Sequence, residues 1–284
     1  MTILVTGGRG RIARAVTTRL HAAGLPVRVA GSRPAELAAP TGVETVELAL
    51  GRPETFATAL RGVRQVFLYP EPAGIGALIE EAGAAGVEHV VLLSSSAVLG
   101  PDPEEDPLAD HHLRVERALA GSALTATFLR PDAFASNALG WAHPVSRAQP
   151  VQLPYPDAGV VPVHPEDIAD IAVEALTGGR LAGRALTLTG AEPLTFREQL
   201  AVLADVLGRE IPVERITRDE AERQLSAFMP APLVGSLLDF WQRADAEPVA
   251  VADTTATLLG RPARSFRQWA AEHADAFAPG RTAV

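Results

Sequence analysis

Residues 6–13, Thr-Gly-Gly-Arg-Gly-Arg-Ile-Ala, are the first in the chain whose types and spacing imply chemistry. They follow the apolar run Ile3-Leu4-Val5 and open a helical pattern in which Ile12, Val16, Leu20 and Ala23 fall three or four apart. Strand, glycine turn and helix in that order form the fingerprint of a dinucleotide phosphate site. Gly7 allows the tight turn, Gly10 lets a pyrophosphate approach the backbone, and Ala13 keeps the helix close to the strand. The free N–H groups and partial positive charge of the helix N-terminus then face the phosphates. Thr6, Gly7, Gly8, Arg9, Gly10, Arg11 and Ile12 are therefore expected to line the cofactor. An acidic residue at the end of the second strand would select NADH by accepting the ribose hydroxyls. This chain has Gly31-Ser32-Arg33-Pro34 there, and no carboxylate before Glu36. Arg33, helped by Arg9, suits the 2′-phosphate of NADPH instead.

A second group of polar residues lies further along. Ser94, Ser95 and Ser96 close the run Val90-Val91-Leu92-Leu93, and ligand contacts gather at the carboxyl ends of parallel strands. Ser94 is expected at the cofactor, and Ser95 or Ser96 at a substrate carbonyl. His112 and Glu116 stand one helical turn apart, so the carboxylate can orient or charge the imidazole. His112 is the first candidate for a proton donor. Tyr69, just before Pro70, is expected to flank the cofactor and to reach substrate with its hydroxyl.

Composition removes whole classes of chemistry. All 25 basic residues counted as Lys plus Arg are arginine. Schiff-base catalysis, a P-loop lysine and a Tyr-x-x-x-Lys pair are therefore excluded. The chain has no cysteine, which excludes disulfides, thiol nucleophiles and cysteine-ligated zinc. A net charge of −9 argues against a nucleic-acid partner. No pair of carboxylates or histidines has metal-ligand spacing. No apolar stretch reaches the roughly 18–20 residues of a membrane span. Met1 leads directly into a strand, so a cytoplasmic protein without a leader is expected.

The elements that must hold these groups alternate through the first half. Strands are predicted at 2–6, 26–31, 43–48, 65–69, 88–95 and 123–130, with helices near 10–23, 53–61, 74–86 and 108–121. The short third connection predicts an irregular crossover. Runs apolar on both faces, such as Val90–Leu93, belong in a parallel sheet covered by helices. The expected fold is α/β, a doubly wound Rossmann-type sheet. Residues 1–131 form its dinucleotide-binding core, to which 163–190 return with a helix after Pro165 and a strand at 185–189. Residues 132–162 look like a loop region, and 191–284 like a smaller, mostly helical part with helices at 195–207, 218–228, 231–243, 253–259 and 265–276. These two segments are expected to bind substrate or cover it.

Several stretches resemble the NmrA-like branch of the atypical short-chain dehydrogenases/reductases. They are the Thr6–Ala13 start, Val66-Phe67-Leu68, Val91–Ser96, His112-x-x-x-Glu116, Thr127–Pro131 with Asn137, Glu166–Ala169, Leu186–Gly190 and Leu207-Gly208-Arg209. The resemblance spans nearly the whole chain. It implies reduction of quinones, enones or imines, or cofactor binding by a redox-sensing regulator. The active superfamily pattern of Ser, Tyr and Lys is missing: His112 and Glu116 occupy the matching helix. Ala49 stands where the family has an acidic residue near adenine. The expected function is thus an NADPH-dependent oxidoreductase that reduces a hydrophobic conjugated or aromatic carbonyl or quinone-type molecule without the Tyr/Lys pair. The alternatives are a non-catalytic NADP-binding sensor and a non-redox cyclase or isomerase. The expected partner is a small hydrophobic substrate, with a homodimer allowed, and neither nucleic acid nor membrane.

Overall fold

The structure, a computed structural model, describes residues 2–247 and 249–279. The chain divides into two compact units. One comprises residues 1–105, 109–131 and 165–188, and the other 106–108, 132–164 and 189–284.

The first unit begins with β1 (Thr2–Val5), α1 (Arg11–Ala22), β2 (Val27–Gly31), β3 (Glu44–Glu47), α2 (Phe56–Leu60), β4 (Val63–Leu68), α3 (Ile75–Ala85), β5 (His89–Leu93), α4 (Pro107–Ala120) and β6 (Thr125–Pro131). The chain then enters the second unit with α5 (Ala142–Ser146), β7 (Val151–Leu153) and β8 (Gly159–Val160). It returns to the first unit as α6 (Pro165–Gly178) and β9 (Ala185–Leu188). The remainder is β10 (Leu194–Thr195), α7 (Phe196–Leu207), β11 (Val213–Arg215), α8 (Arg218–Leu225), α9 (Ala231–Ala246), α10 (Thr254–Leu259) and α11 (Phe266–Glu272).

Seven strands of the first unit make one sheet in the order β3-β2-β1-β4-β5-β6-β9, every neighbour parallel. This is the Rossmann-type arrangement expected. Every residue of β5, His-Val-Val-Leu-Leu, is buried, as helices on both faces require. Helix α1 buries Ile12, Ala13, Val16, Thr17 and Leu20 as one stripe. On its far end Arg19 is clamped by Asp170 at 2.7 Å and by Glu166, both from α6. The third crossover is irregular, as its length predicted: a 3-10 turn at Pro53–Thr55 leads into the five-residue α2. The order of strands reverses direction between β1 and β4, and a doubly wound sheet opens its ligand crevice at such a point.

In the second unit two small sheets pair β8 with β10 and β7 with β11. Trp269, Phe266 and Phe277 are fully buried there among Phe196, Leu200 and Leu203. Thr195, Thr217 and Ser265 start α7, α8 and α11 with reciprocal side-chain caps, which fixes where these helices begin. Among the described residues no helix is long and apolar enough to cross a membrane. Nor does any group of three His, Cys, Asp or Glu side chains there suit a metal ion.

Candidate functional site

The glycine loop joins β1 to α1 at the switch point. Gly7 has φ +65°, where only glycine is unstrained, and a Cβ on it would lie 2.9 Å from Tyr69 Cβ. The base of the Tyr69 ring therefore rests on the loop. Thr6 is buried, and its Oγ accepts a hydrogen bond from the Tyr69 amide at 2.8 Å. Gly8 donates its amide to the Ala30 carbonyl at 3.2 Å. A Cβ on Gly8 would stand 2.4 Å from Val29 Cγ1. These three residues are expected at the cofactor, but their side-chain positions serve the scaffold: they lock the ends of β1, β2 and β4 together.

Beyond them the loop is different. Gly10 is the N-cap of α1 in extended conformation, with no side chain capping the helix and no acid in its first turn. The amides of Arg11 and Ile12 belong to that first turn and have no intrahelical acceptor. Ile12 itself is buried, so it offers backbone only, while the Arg11 side chain is exposed. An uncapped helix N-terminus with a bare glycine before it fits a pyrophosphate. Arg9 and Arg33 reach the same point from different loops. Their guanidiniums lie 3.6 Å and 2.7 Å from the two oxygens of Glu36.

At the carboxyl end of β5 the three serines separate. Ser95 accepts the Ala97 amide at 3.2 Å and caps the 3-10 turn Ser96–Leu99. Ser96 is half-buried. Ser94, expected at the cofactor, turns its side chain to the scaffold. Its side chain is buried and donates to Glu116 Oε1 at 2.6 Å. Arg130, from the end of β6, grips the same carboxylate with Nε at 2.9 Å and Nη2 at 2.5 Å. Glu116 is only 4% exposed. The carboxylate thus ties α4 to β5 and β6.

That arrangement also corrects the expected His112–Glu116 couple. The carboxylate spends its hydrogen bonds on Arg130 and Ser94, not on the imidazole. His112 is pushed down to about pKa 4, chiefly by burial, then by neighbouring His111, with Glu116 opposing weakly. Its Nδ1 is buried without a hydrogen-bond partner. His111 donates from Nε2 to the Pro70 carbonyl at 3.3 Å, and the two histidine rings meet edge to face at 5.6 Å. The start of α4 is so held beside the Tyr69-Pro70 end of β4. His112 is therefore neutral at physiological pH. The sign of the resulting stability effect follows. The unfolded ring takes up its proton near pH 6.5 and the folded one only near 4. Stability from the neutral ring is complete above 6.5 and is lost as pH falls toward 4. Thermal unfolding of His112→Gln should accordingly lose part of the pH dependence seen for the native chain in that window. An unchanged dependence would show that the ring titrates normally.

Sequence reasoning missed Arg130 and the role of Glu36. The first pairs with a residue on another element, which spacing cannot show. The second was visible as Arg33-x-x-Glu36, an i,i+3 pair.

A seven-stranded parallel sheet with an uncapped glycine loop at its switch point defines a Rossmann-type dinucleotide-binding protein. The chain belongs to the NAD(P)H-binding family, whose model matches residues 7–178, and within it to the NmrA-like atypical short-chain dehydrogenases/reductases. It is 43% identical over 282 residues to a (4-alkanoyl-5-oxo-2,5-dihydrofuran-3-yl)methyl phosphate reductase from Streptomyces griseus, covering 98% of this chain and 99% of that one. It is 32% identical over 286 residues to an NAD(P)H azoreductase from Xenophilus azovorans, covering 97% and 99%. Among solved structures, an NADPH-dependent quinone oxidoreductase from Escherichia coli in complex with NADPH shares the fold with a TM-score of 0.81 at 21% identity, covering 95% of this chain and 99% of that one.

Proposed function

We propose that this protein is an NADPH-dependent reductase of small conjugated acceptors, with an acyl-substituted unsaturated lactone as the best candidate substrate. The observation that carries the reading is the absence of a strong proton donor. The chain has no lysine, and burial holds His112 on α4 in its neutral form. Such a site suits acceptors whose hydride adduct is already a stabilised anion. The lactone named for the Streptomyces relative has a ring double bond with two carbonyls on one of its carbons. Hydride added to the other carbon pushes the π pair into a 1,3-dicarbonyl enolate, which then takes a proton from water. Quinone acceptors share that tolerance, because their hydride adduct is a hydroquinone anion.

NADPH supplies the hydride when bound. The protein's part is to hold the cofactor and orient the acceptor. Gly10 and the α1 amides would receive the pyrophosphate, and Arg9 and Arg33 the 2′-phosphate. A neutral His112 donates a hydrogen bond to the developing enolate oxygen without giving up a proton, and the Ser96 hydroxyl can add a second. Tyr69 walls the cofactor side. The soluble NADPH pool of the cytoplasm is the setting this activity requires.

Three results test the reading. NADPH consumption should be seen with an acyl unsaturated lactone, a quinone and an azo dye, and not with a simple saturated ketone. Comparable turnover of the ketone would overturn it. NADPH binding without consumption across that panel would favour the sensor instead. Turnover of the lactone should stay level between about pH 5.5 and 8, because a ring already neutral loses nothing there. A fall centred near 6.5 would mean that imidazolium is the working form. Arg33→Ala should weaken NADPH roughly 10- to 100-fold, the scale of a charged hydrogen bond, and leave NADH nearly unchanged. Equal losses for both cofactors would remove Arg33 from the phosphate.

A further inference from the structure

Glu36 stands between the two guanidiniums that the proposed function assigns to the 2′-phosphate. Arg33 Nη1 lies 2.7 Å from Oε1, and Arg9 Nη1 lies 3.6 Å from Oε2. One arginine comes from the β1–α1 loop and the other from the end of β2, so a single carboxylate gathers them. The segment that carries it is anchored. Pro34–Glu36 form a 3-10 turn, and the next residue, Leu37, wedges against two glycines. A Cβ on Gly8 would come within 3.2 Å of Leu37 Cδ2, and one on Gly31 within 3.1 Å. The carboxylate is therefore held beside the glycine loop by its own chain.

We propose that Glu36 is an internal stand-in for the adenosine 2′-phosphate, and so the residue that sets how strongly the protein prefers NADPH over NADH. The inference rests on the reading that Arg9 and Arg33 receive that phosphate. Without cofactor, Glu36 keeps the two cations close together and offsets one of their two charges. NADPH brings a second anion to the same guanidiniums, so the phosphate must break both pairs and push the carboxylate aside. NADH carries a hydroxyl there and leaves Glu36 in place, so it meets one net positive charge rather than two. The carboxylate thus weakens NADPH and tolerates NADH. It narrows a selectivity that the arginines alone would make wide.

Calorimetric titration of the native chain, Glu36→Gln and Arg33→Ala with NADPH and NADH decides the matter, with 2′-AMP and 5′-AMP as fragment probes. Glu36→Gln should bind NADPH and 2′-AMP about three- to tenfold tighter, the range of one or two exposed ion pairs, and NADH and 5′-AMP within about twofold of native. Unchanged or weaker NADPH binding by Glu36→Gln would overturn the proposal and make Glu36 only a brace for the arginines. Arg33→Ala separates the two readings. If it weakens both cofactors alike, the phosphate assignment fails. If it is selective for NADPH while Glu36→Gln brings no gain, only the stand-in role fails. The side chain is exposed, so the variant should melt like the native chain.

Discussion

Gly10→Val should abolish dinucleotide binding and leave the fold intact. The backbone at Gly10 is extended, at φ −69° and ψ 146°, which suits a β-branched residue. A Cβ there meets only the Gly7 carbonyl oxygen, at 3.2 Å. The substitution asks that carbonyl to give by a few tenths of an ångström, so its cost in stability should be small beside that of the clash at Gly8. It does set two methyl groups in front of the uncapped end of α1, where phosphate oxygens must come to reach the amides. Several charge-assisted hydrogen bonds are lost at once, so affinity should fall more than about 100-fold. Circular dichroism and the melting temperature should match the native chain while cofactor titration gives no signal. Affinity within about tenfold of native would mean that the loop is a connecting turn. Gly8→Val is the contrasting control. Its Cβ would strike Val29 Cγ1 at 2.4 Å, so that variant should lose stability as well as binding.

The second large effect concerns the interior. Glu116→Ala should lower the unfolding free energy by about 3–5 kcal/mol, the usual penalty for leaving one partner of a buried ion pair alone. Arg130 would keep its charge with a side chain only 20% exposed, and Ser94 would lose its acceptor. The double variant Glu116→Leu with Arg130→Met should recover much of the loss, since no buried charge remains. Urea unfolding of the three proteins measures both quantities. A loss below about 1 kcal/mol for the single variant would show that water reaches the carboxylate and that the pair is worth no more than a surface one.

The parallel sheet was legible because burial on both faces leaves an unmistakable texture. Val90–Leu93 carries no polar alternation and β5 is buried throughout, while β6 lies where the run ending at Leu129 predicts but alternates in burial, with Thr127, Leu129 and Pro131 inward. The helix after Pro165 was legible from its start signal, and α7 lies where the helix at 195–207 is predicted. The strands β7, β8, β10 and β11 were not: two or three residues are too few to show a period, and residues 151–160 read as loop. Within the candidate site the backbone part was readable, because glycine at positions 7 and 10 answers a local steric question. The side-chain part was less so. His112 and Glu116 do sit one turn apart, but which neighbour takes a carboxylate depends on what other elements bring, and Arg130 arrives from β6. A half-buried guanidinium outbids a nearby imidazole.

The path of the chain through the sheet has a consequence for synthesis. Strand β6 finds its outer neighbour only in β9, after residues 132–164 have been made. During translation the nascent sheet therefore waits with an unpaired parallel edge bearing Phe128 and Leu129. An edge of that kind is a template for pairing with other chains. A ribosome stalled or a transcript cut between Pro131 and Ala185 would release a fragment that holds the whole glycine loop yet is prone to aggregate. Chaperone demand should accordingly peak in that interval and drop once β9 has emerged.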